Sequence, residues 1–234
     1  MPETAFNNAP VLEGKGLAKV YRSVVALDDV DFALYRNEIL AVIGENGSGK
    51  STLIKCLTGA VRPDAGEVRL EGRRVRFRKP ADARLAGINT VYQTMQSAPA
   101  LDMATSLFRN HEVRTPGPLG QLSRRLEDRG LRKPPRALDS KVIVLDEPTA
   151  TLGRRESARA MKFIDNLRGR GLPIVFVTHD VVQAFEIADR IHVQLRGRRA
   201  AVIDPRTIGR EDAAALMSGA LEIDEKDQAF GPLR

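Results

Sequence analysis

At 234 residues and 42% hydrophobic content, the chain is long enough for one α/β domain with a core, or one domain with a small appendage. No apolar run approaches the roughly 18–20 residues that span a bilayer. The N-terminal stretch Met-Pro-Glu-Thr-Ala-Phe-Asn-Asn lacks a basic region followed by an apolar one, so a cytosolic chain is expected. The formal charge of +7 is concentrated in Gln121–Arg136, where no aromatic residue lies between the basic side chains to stack on bases, which argues against nucleic acid as a partner.

In chain order, Val11–Leu34 alternates apolar and polar residues (Val20, Val25, Leu27, Val30, Phe32, Leu34), which predicts short strands joined by turns beside the strand that follows. Tyr21 stands at the end of one of these. Ile39–Ile43 is a continuous apolar run of the kind that forms a buried strand. Gly44-Glu45-Asn46-Gly47-Ser48-Gly49-Lys50-Ser51 then fits G-x-x-x-x-G-K-[ST], and Leu53, Ile54, Leu57 and Val61 follow at helical spacing. A strand before and a helix after are the context that supports a phosphate-binding loop. The glycines let the backbone curl, so that successive N–H groups face phosphate oxygens. The helix N-terminus adds its positive dipole end. Lys50 is the residue expected at the β- and γ-phosphates, and the Ser51 hydroxyl at Mg²⁺. Cys56, the only cysteine, excludes an internal disulfide and is expected as a small buried residue of that helix.

Glu67–Leu70 and Val75–Arg78 predict a hairpin around Glu71–Arg74, and Pro80–Ala86 a short helix. Ile88–Tyr92 predicts a strand with Gln93 just past its end. Thr115–Gly120 breaks any regular element. Lys141–Asp146 is a second apolar run ending in acid, continued by Glu147. Helices are expected over Gly153–Arg170, Val181–Ile191 and Glu211–Gly219, and strands over Leu172–Thr178, Ile191–Leu195 and Ala200–Ile203. This organisation reads as a single domain over residues 1–220, with 94–140 a shortened, irregular helical region and 221–234 a mobile tail. Strands alternating with helices imply a mainly parallel sheet, whose ligands bind at the carboxyl ends of the strands. Gly44, Gln93, Asp146 and His179 all fall at such ends. Asp146 is placed to hold Mg²⁺, Glu147 to act as general base toward water, and His179 to reach a γ-phosphate. His111 and His192 have no such context and are expected to be structural.

These motifs resemble the ATP-binding subunits of ABC transporters. The matching residues are Tyr21 (adenine stacking), Gly44–Thr52 (Walker A), Gln93 (Q-loop), Val142–Glu147 (Walker B), Pro148–Gly153 (D-loop) and His179 (switch). The resemblance implies a P-loop NTPase fold with an N-terminal antiparallel β subdomain and a helical subdomain. It places Gln93 with Ser51 and Asp146 at the Mg²⁺, and Tyr21, Gly44, Glu45, Asn46, Gly47, Ser48, Gly49, Lys50, Ser51, Thr52 and Gln93 around ATP. The phrases E-G-R-R-V-R-F-R, A-G-I-N-T-V-Y-Q and F-E-I-A-D-R-I-H-V are similar to ribose- and fructose-type sugar importers. By that resemblance the partners are a membrane permease and a periplasmic sugar-binding protein, with the chain on the cytoplasmic face of the inner membrane. It would work as a homodimer or paired with another ATP-binding subunit.

One departure is large. The family's Leu-Ser-Gly-Gly-Gln signature is absent, and Leu122-Ser123 are followed by Arg124-Arg125-Leu126. Two arginine side chains stand where glycine backbones would approach phosphate. Between Gln93 and Asp146 there is also little room for the helical subdomain, which predicts that it is truncated. The alternative to a transport ATPase is a degenerate module that binds ATP without hydrolysing it.

Overall fold

The computed structural model describes residues 9–91, 140–150, 152–223 and 231. Gln93, the region 94–139 with the basic stretch Gln121–Arg136, and His111 lie outside them.

Two sheets carry the fold. The first is antiparallel and begins with β1 (Leu12–Tyr21) and β2 (Val24–Leu34). Short strands joined by turns were expected here, but these are two long strands of one hairpin, in a sheet separate from the loop strand. Register shifts between Gly14 and Leu17, Leu17 and Lys19, and Lys19 and Val20 interrupt the alternation. Such bulges break a period of two without ending a strand. After β3 (Ile39–Ile43) and helix α1 (Lys50–Leu57), the chain returns to the first sheet with β4 (Ala65–Leu70) and β5 (Arg73–Val75), in the order β2-β1-β4-β5. The β4–β5 turn is tighter than expected. Leu70 pairs with Arg73, and Glu71 and Gly72 have φ of 50° and 77°. Positive φ at both central positions gives the two-residue turn whose twist matches the flanking strands.

Helix α2 (Pro80–Leu85) leads to β6 (Ile88–Val91). Then come β7 (Val142–Asp146), α3 (Arg154–Arg168), β8 (Ile174–Val177), α4 (Val181–Ile187), β9 (Arg190–Leu195), β10 (Arg198–Ile203) and α5 (Arg210–Ser218). The second sheet has the order β10-β9-β3-β8-β7-β6, parallel except for the β9–β10 hairpin. Helix α4 ends at Ile187, four residues before the expected Ile191, which belongs to β9.

The central strands are buried on both faces, which is why they read as continuous apolar runs. Leu40 and Val42 of β3 join Leu53, Ile54 and Leu57 of α1 and the inner face of the antiparallel sheet in one core. Ile39, Ala41 and Ile43 face the other way, into a second core with Ile164 and Leu167 of α3, Ala184 of α4 and Leu216 of α5. Leu221 and Ile223 pack against this second core, so the chain past α5 begins as an anchored segment.

At the amino ends of the strands a buried ion pair joins the two sheets. Arg190, 1% exposed, donates to both Glu38 carboxylate oxygens at 2.8 and 3.0 Å and to the Ala33 carbonyl, and its guanidinium lies 4.8 Å from the Tyr35 ring centroid. Glu38 also accepts from the Tyr35 N–H. The charges are thus paired and hydrogen-bonded together, the condition under which a buried pair is tolerated.

Candidate functional site

The site forms where β3, β7 and β8 end on one edge of the parallel sheet. After Ile43 the chain curls through Gly44–Gly49 and enters α1 at Lys50. Gly49 is the N-cap, with φ of 108°, and makes no side-chain cap bond. The first N–H groups of α1 therefore face the loop uncapped, unlike those of α4, where Asp180 accepts from Val182 and Gln183.

The glycines are required by space. A Cβ on Gly44 would lie 2.3 Å from the Gln194 carbonyl oxygen and 2.5 Å from Ser48 Oγ, and one on Gly49 would lie 2.5 Å from the Ala26 carbonyl oxygen. Gly47 has φ of 82° and open space around it. The loop is pinned from below by the β9–β10 turn, where the Gly197 N–H donates to the Ser48 carbonyl at 2.8 Å.

Lys50 is 6% exposed and bends back over the loop, its Nζ donating to the Gly44 carbonyl at 2.7 Å and the Glu45 carbonyl at 3.0 Å. Burial holds its pKa below the usual lysine value, while Glu147 and Asp146 pull the other way. Ser51 is exposed on the first turn of α1, Thr52 is half-buried, and Glu45 and Asn46 are exposed. Asp146 ends β7 and is 6% exposed, and its Oδ1 has no hydrogen-bond partner. Burial, and then Glu147, raise its carboxyl above the usual range. A buried carboxylate oxygen without a donor calls for a physical reason, and coordination of a cation is one such role.

Glu147 follows with φ of 53° and a side chain 10% exposed. His179 comes just after the end of β8, and its Nδ1 lies 2.8 and 2.9 Å from the two Glu147 carboxylate oxygens. The rest of that ring is open, the side chain being 57% exposed. Behind them Thr149 Oγ1 donates to Gln183 of α4 at 2.5 Å.

Tyr21 stands at the tip of the β1–β2 hairpin, 41% exposed, with Val20, Val24 and Val25 also exposed and Lys19 Nζ 5.5 Å from its ring centroid. Two residues beyond Val24, the Ala26 carbonyl touches the loop at Gly49. The expected residues Gly44–Thr52, Asp146, Glu147 and His179 are thus brought to one edge of the parallel sheet, while Tyr21 stands on the hairpin of the antiparallel sheet. His192 is 1% exposed, as a structural histidine should be, and Cys56 is buried on α1. Sequence reasoning missed Gln194 and Gly197, which support the loop from beneath. The available signal was the alternation of polar Arg190, His192 and Gln194 with apolar Ile191, Val193 and Leu195 along the strand.

This arrangement offers anion-binding N–H groups, a lysine, a hydroxyl, an unpartnered carboxylate and a carboxylate–imidazole pair around one space. That is the set of groups phosphoryl-transfer chemistry uses. Among the described residues no cluster of three or more His, Cys, Asp or Glu side chains could hold a metal by itself. A cation here would need hydroxyl and phosphate oxygens beside Asp146, as Mg²⁺ commonly does.

Known proteins give the same family. A family model described as ABC transporter matches residues 27–138. The fructose import ATP-binding protein FrcA of Rhizobium meliloti is 44% identical over 248 residues, covering 91% of this chain and 95% of that protein. That aligned length exceeds the part of this chain it takes in, so the relative carries a few tens of residues with no counterpart here. A ribose import ATP-binding protein of Rubrobacter xylanophilus is 36% identical over 90% of this chain, which spans only 47% of that relative's length. Among solved structures, a nucleotide-free ATP-binding cassette of an ABC transporter matches with TM-score 0.66 at 22% identity, covering 93% of this chain and 97% of that one. A dimeric cassette in a post-hydrolysis state bound to ADP and Pi also matches with TM-score 0.66, at 21% identity over 83% and 99% of the two chains. The chain belongs to the ABC transporter family, among its ATP-binding proteins.

Proposed function

We propose that this chain is the ATP-binding subunit of an importer for a monosaccharide, and that it holds Mg²⁺-ATP at Gly44–Thr52. The observation that carries the reading is the loop itself. An uncapped helix N-terminus, the buried Lys50 and the Asp146 oxygen without a hydrogen-bond partner lie around one space of the kind that suits a phosphate and its cation. In this reading the N–H groups of the loop and Lys50 bind the β- and γ-phosphates. Ser51 and Asp146 hold Mg²⁺, with Gln93 beside them as the family pattern assigns. Mg²⁺ bound there neutralises charge on the phosphate oxygens. Glu147 takes the proton of the attacking water, and His179 orients the Glu147 carboxylate through Nδ1 while its open face meets the γ-phosphate. Tyr21 stacks on the adenine.

The fructose and ribose import relatives support monosaccharide import, with a membrane permease and a periplasmic binding protein as partners and a position on the cytoplasmic face of the membrane. No described helix is long and apolar enough to cross a membrane. The Leu-Ser-Gly-Gly-Gln segment missing from the sequence comes in this reading from a second ATP-binding subunit that faces the loop, and the match to a dimeric cassette supports pairing.

The test is reconstitution in vesicles with permease, binding protein and a second subunit that carries an intact signature. Fructose or ribose should stimulate ATP hydrolysis, and Glu147→Gln in this chain should lower the stimulated rate by about 10²-fold or more, the scale of losing a positioned base. A rate indifferent to both sugars and to Glu147→Gln would overturn the reading.

A further inference from the structure

Gln194 is 0% exposed and sits in β9 directly beneath the phosphate loop. Its main-chain oxygen fills the space that a Cβ on Gly44 would need, and its Nε2 lies 3.3 Å from where a Cβ on Gly49 would stand. The side chain therefore runs under the loop from one of its glycines to the other.

The orientation of that side chain is fixed from behind. His192, two residues earlier on the same strand face, places Nε2 2.8 Å from Gln194 Oε1. The imidazole is 1% exposed and packs against Phe32, with ring centroids 5.9 Å apart. Burial pushes it down to about 4. The ring is neutral at physiological pH. The amide stands with its oxygen toward His192, which sets the tautomer with Nε2–H as donor, and with its nitrogen toward the loop, where Nε2 has no hydrogen-bond partner. Ser48 Oγ, beside Gly44, has none either.

A buried donor without a partner is rare in folded proteins and calls for a physical reason. In the structure Lys50 holds the loop carbonyls of Gly44 and Glu45. When Lys50 turns to phosphate, the Gly44 carbonyl loses that donor, while the Glu45 carbonyl keeps the Ser48 N–H.

We propose that Gln194, oriented by His192, is a positioning residue for the phosphate loop, whose amide hydrogen-bonds the loop in its phosphate-holding form. The proposal rests on the reading that this loop holds nucleotide. It adds that the phosphate-holding form is favoured from below, by a polar pair inside the core, as well as by the groups that touch phosphate.

The double variant His192→Leu/Gln194→Met removes both polar groups at similar volume. Replacing both partners of a buried pair by apolar groups is close to neutral for the fold. The nucleotide-free protein should therefore melt at or above the wild-type temperature. Mg²⁺-ATP and inorganic triphosphate should both bind about tenfold more weakly, equal to about 1.4 kcal/mol. A purely structural pair would lower the melting temperature and leave the affinity of the remaining folded protein unchanged. Gln194→Glu keeps an acceptor for His192, loses the donor, and should weaken binding at least as much, which covers the case that the double variant does not fold. Wild-type affinity for triphosphate in the variants, beside a wild type that binds and a Lys50→Ala that does not, would overturn this proposal alone. A wild type that does not bind would overturn the loop reading and this proposal together.

Discussion

Asp146 sets the balance between an empty and a filled site. Its carboxyl is raised by burial and by Glu147, and one oxygen lacks a donor. A folded-state pKa above the unfolded one means that the fold favours the protonated form. This contribution is present at low pH and is lost as pH rises through the folded pKa, so at neutral pH the ionised group costs stability. Asp146→Asn should therefore stabilise the nucleotide-free protein at pH 7, by on the order of 1 kcal/mol. The stabilisation should shrink as pH falls toward the carboxylate range, and Mg²⁺-dependent ATP binding should be lost. Urea unfolding at several pH values checks the first part, and a neutral-pH destabilisation would contradict it. Tyr21 is argued at the same scale. Tyr21→Ala should weaken ATP more than inorganic triphosphate, by several-fold, as loss of one aromatic stacking contact would. Equal weakening would leave Tyr21 as an exposed strand aromatic. At this scale the loop was legible in the sequence because its chemistry is local: consecutive residues supply glycines, lysine and hydroxyl. Gln194 was not, since its meaning depends on β9 lying beneath the loop, a contact between residues about 150 positions apart.

Among the elements, β3 is the one to which the others are fitted. It pairs in parallel with β8 and β9, and its amino end is held by the Glu38–Arg190 clamp. Truncating one partner leaves the other charge buried and unpaired. Arg190→Met should cost about 3–5 kcal/mol of unfolding free energy, and the double variant Glu38→Gln/Arg190→Met distinctly less. Equal losses in denaturant titrations would mean that packing of the arginine stem dominates. The buried strands of the parallel sheet were legible as apolar runs because both of their faces are covered. The β1–β2 hairpin was legible only in pieces. Its bulges near Gly14, Leu17 and Lys19 shift the alternation, so one long strand reads as several short ones. The β4–β5 turn was misplaced because Arg73 and Arg74 look like turn residues, yet they pair with Leu70 and Arg69.

For the molecule as a whole, the described residues contain the phosphate loop with Asp146, Glu147 and His179 beside it, while the segment that would face a partner's nucleotide carries Arg124 and Arg125 in place of Gly-Gly. Arginine side chains attract phosphate but do not reproduce aligned backbone N–H donors, and each lost donor of that kind typically lowers a rate by ~10²–10³-fold. The purified chain alone should hydrolyse ATP at background level. A subunit with an intact signature should restore turnover at this chain's own loop. Robust turnover by the chain alone, abolished by Glu147→Gln, would mean that another segment replaces the signature. The fold class and the family were legible because the motifs occur in order along the chain. Which subunit the chain pairs with was not, since one sequence shows only its own half of the site proposed to be shared.

The central claim is that Gly44–Thr52 holds Mg²⁺-ATP. The most direct measurement is thermal unfolding of the purified chain with and without Mg²⁺-ATP, beside Lys50→Ala. At a ligand concentration ~100 times its dissociation constant the wild type should gain about 2.7 kcal/mol of stability, and Lys50→Ala should gain little. A wild type unmoved by millimolar Mg²⁺-ATP, or an equal gain in Lys50→Ala, would contradict the account.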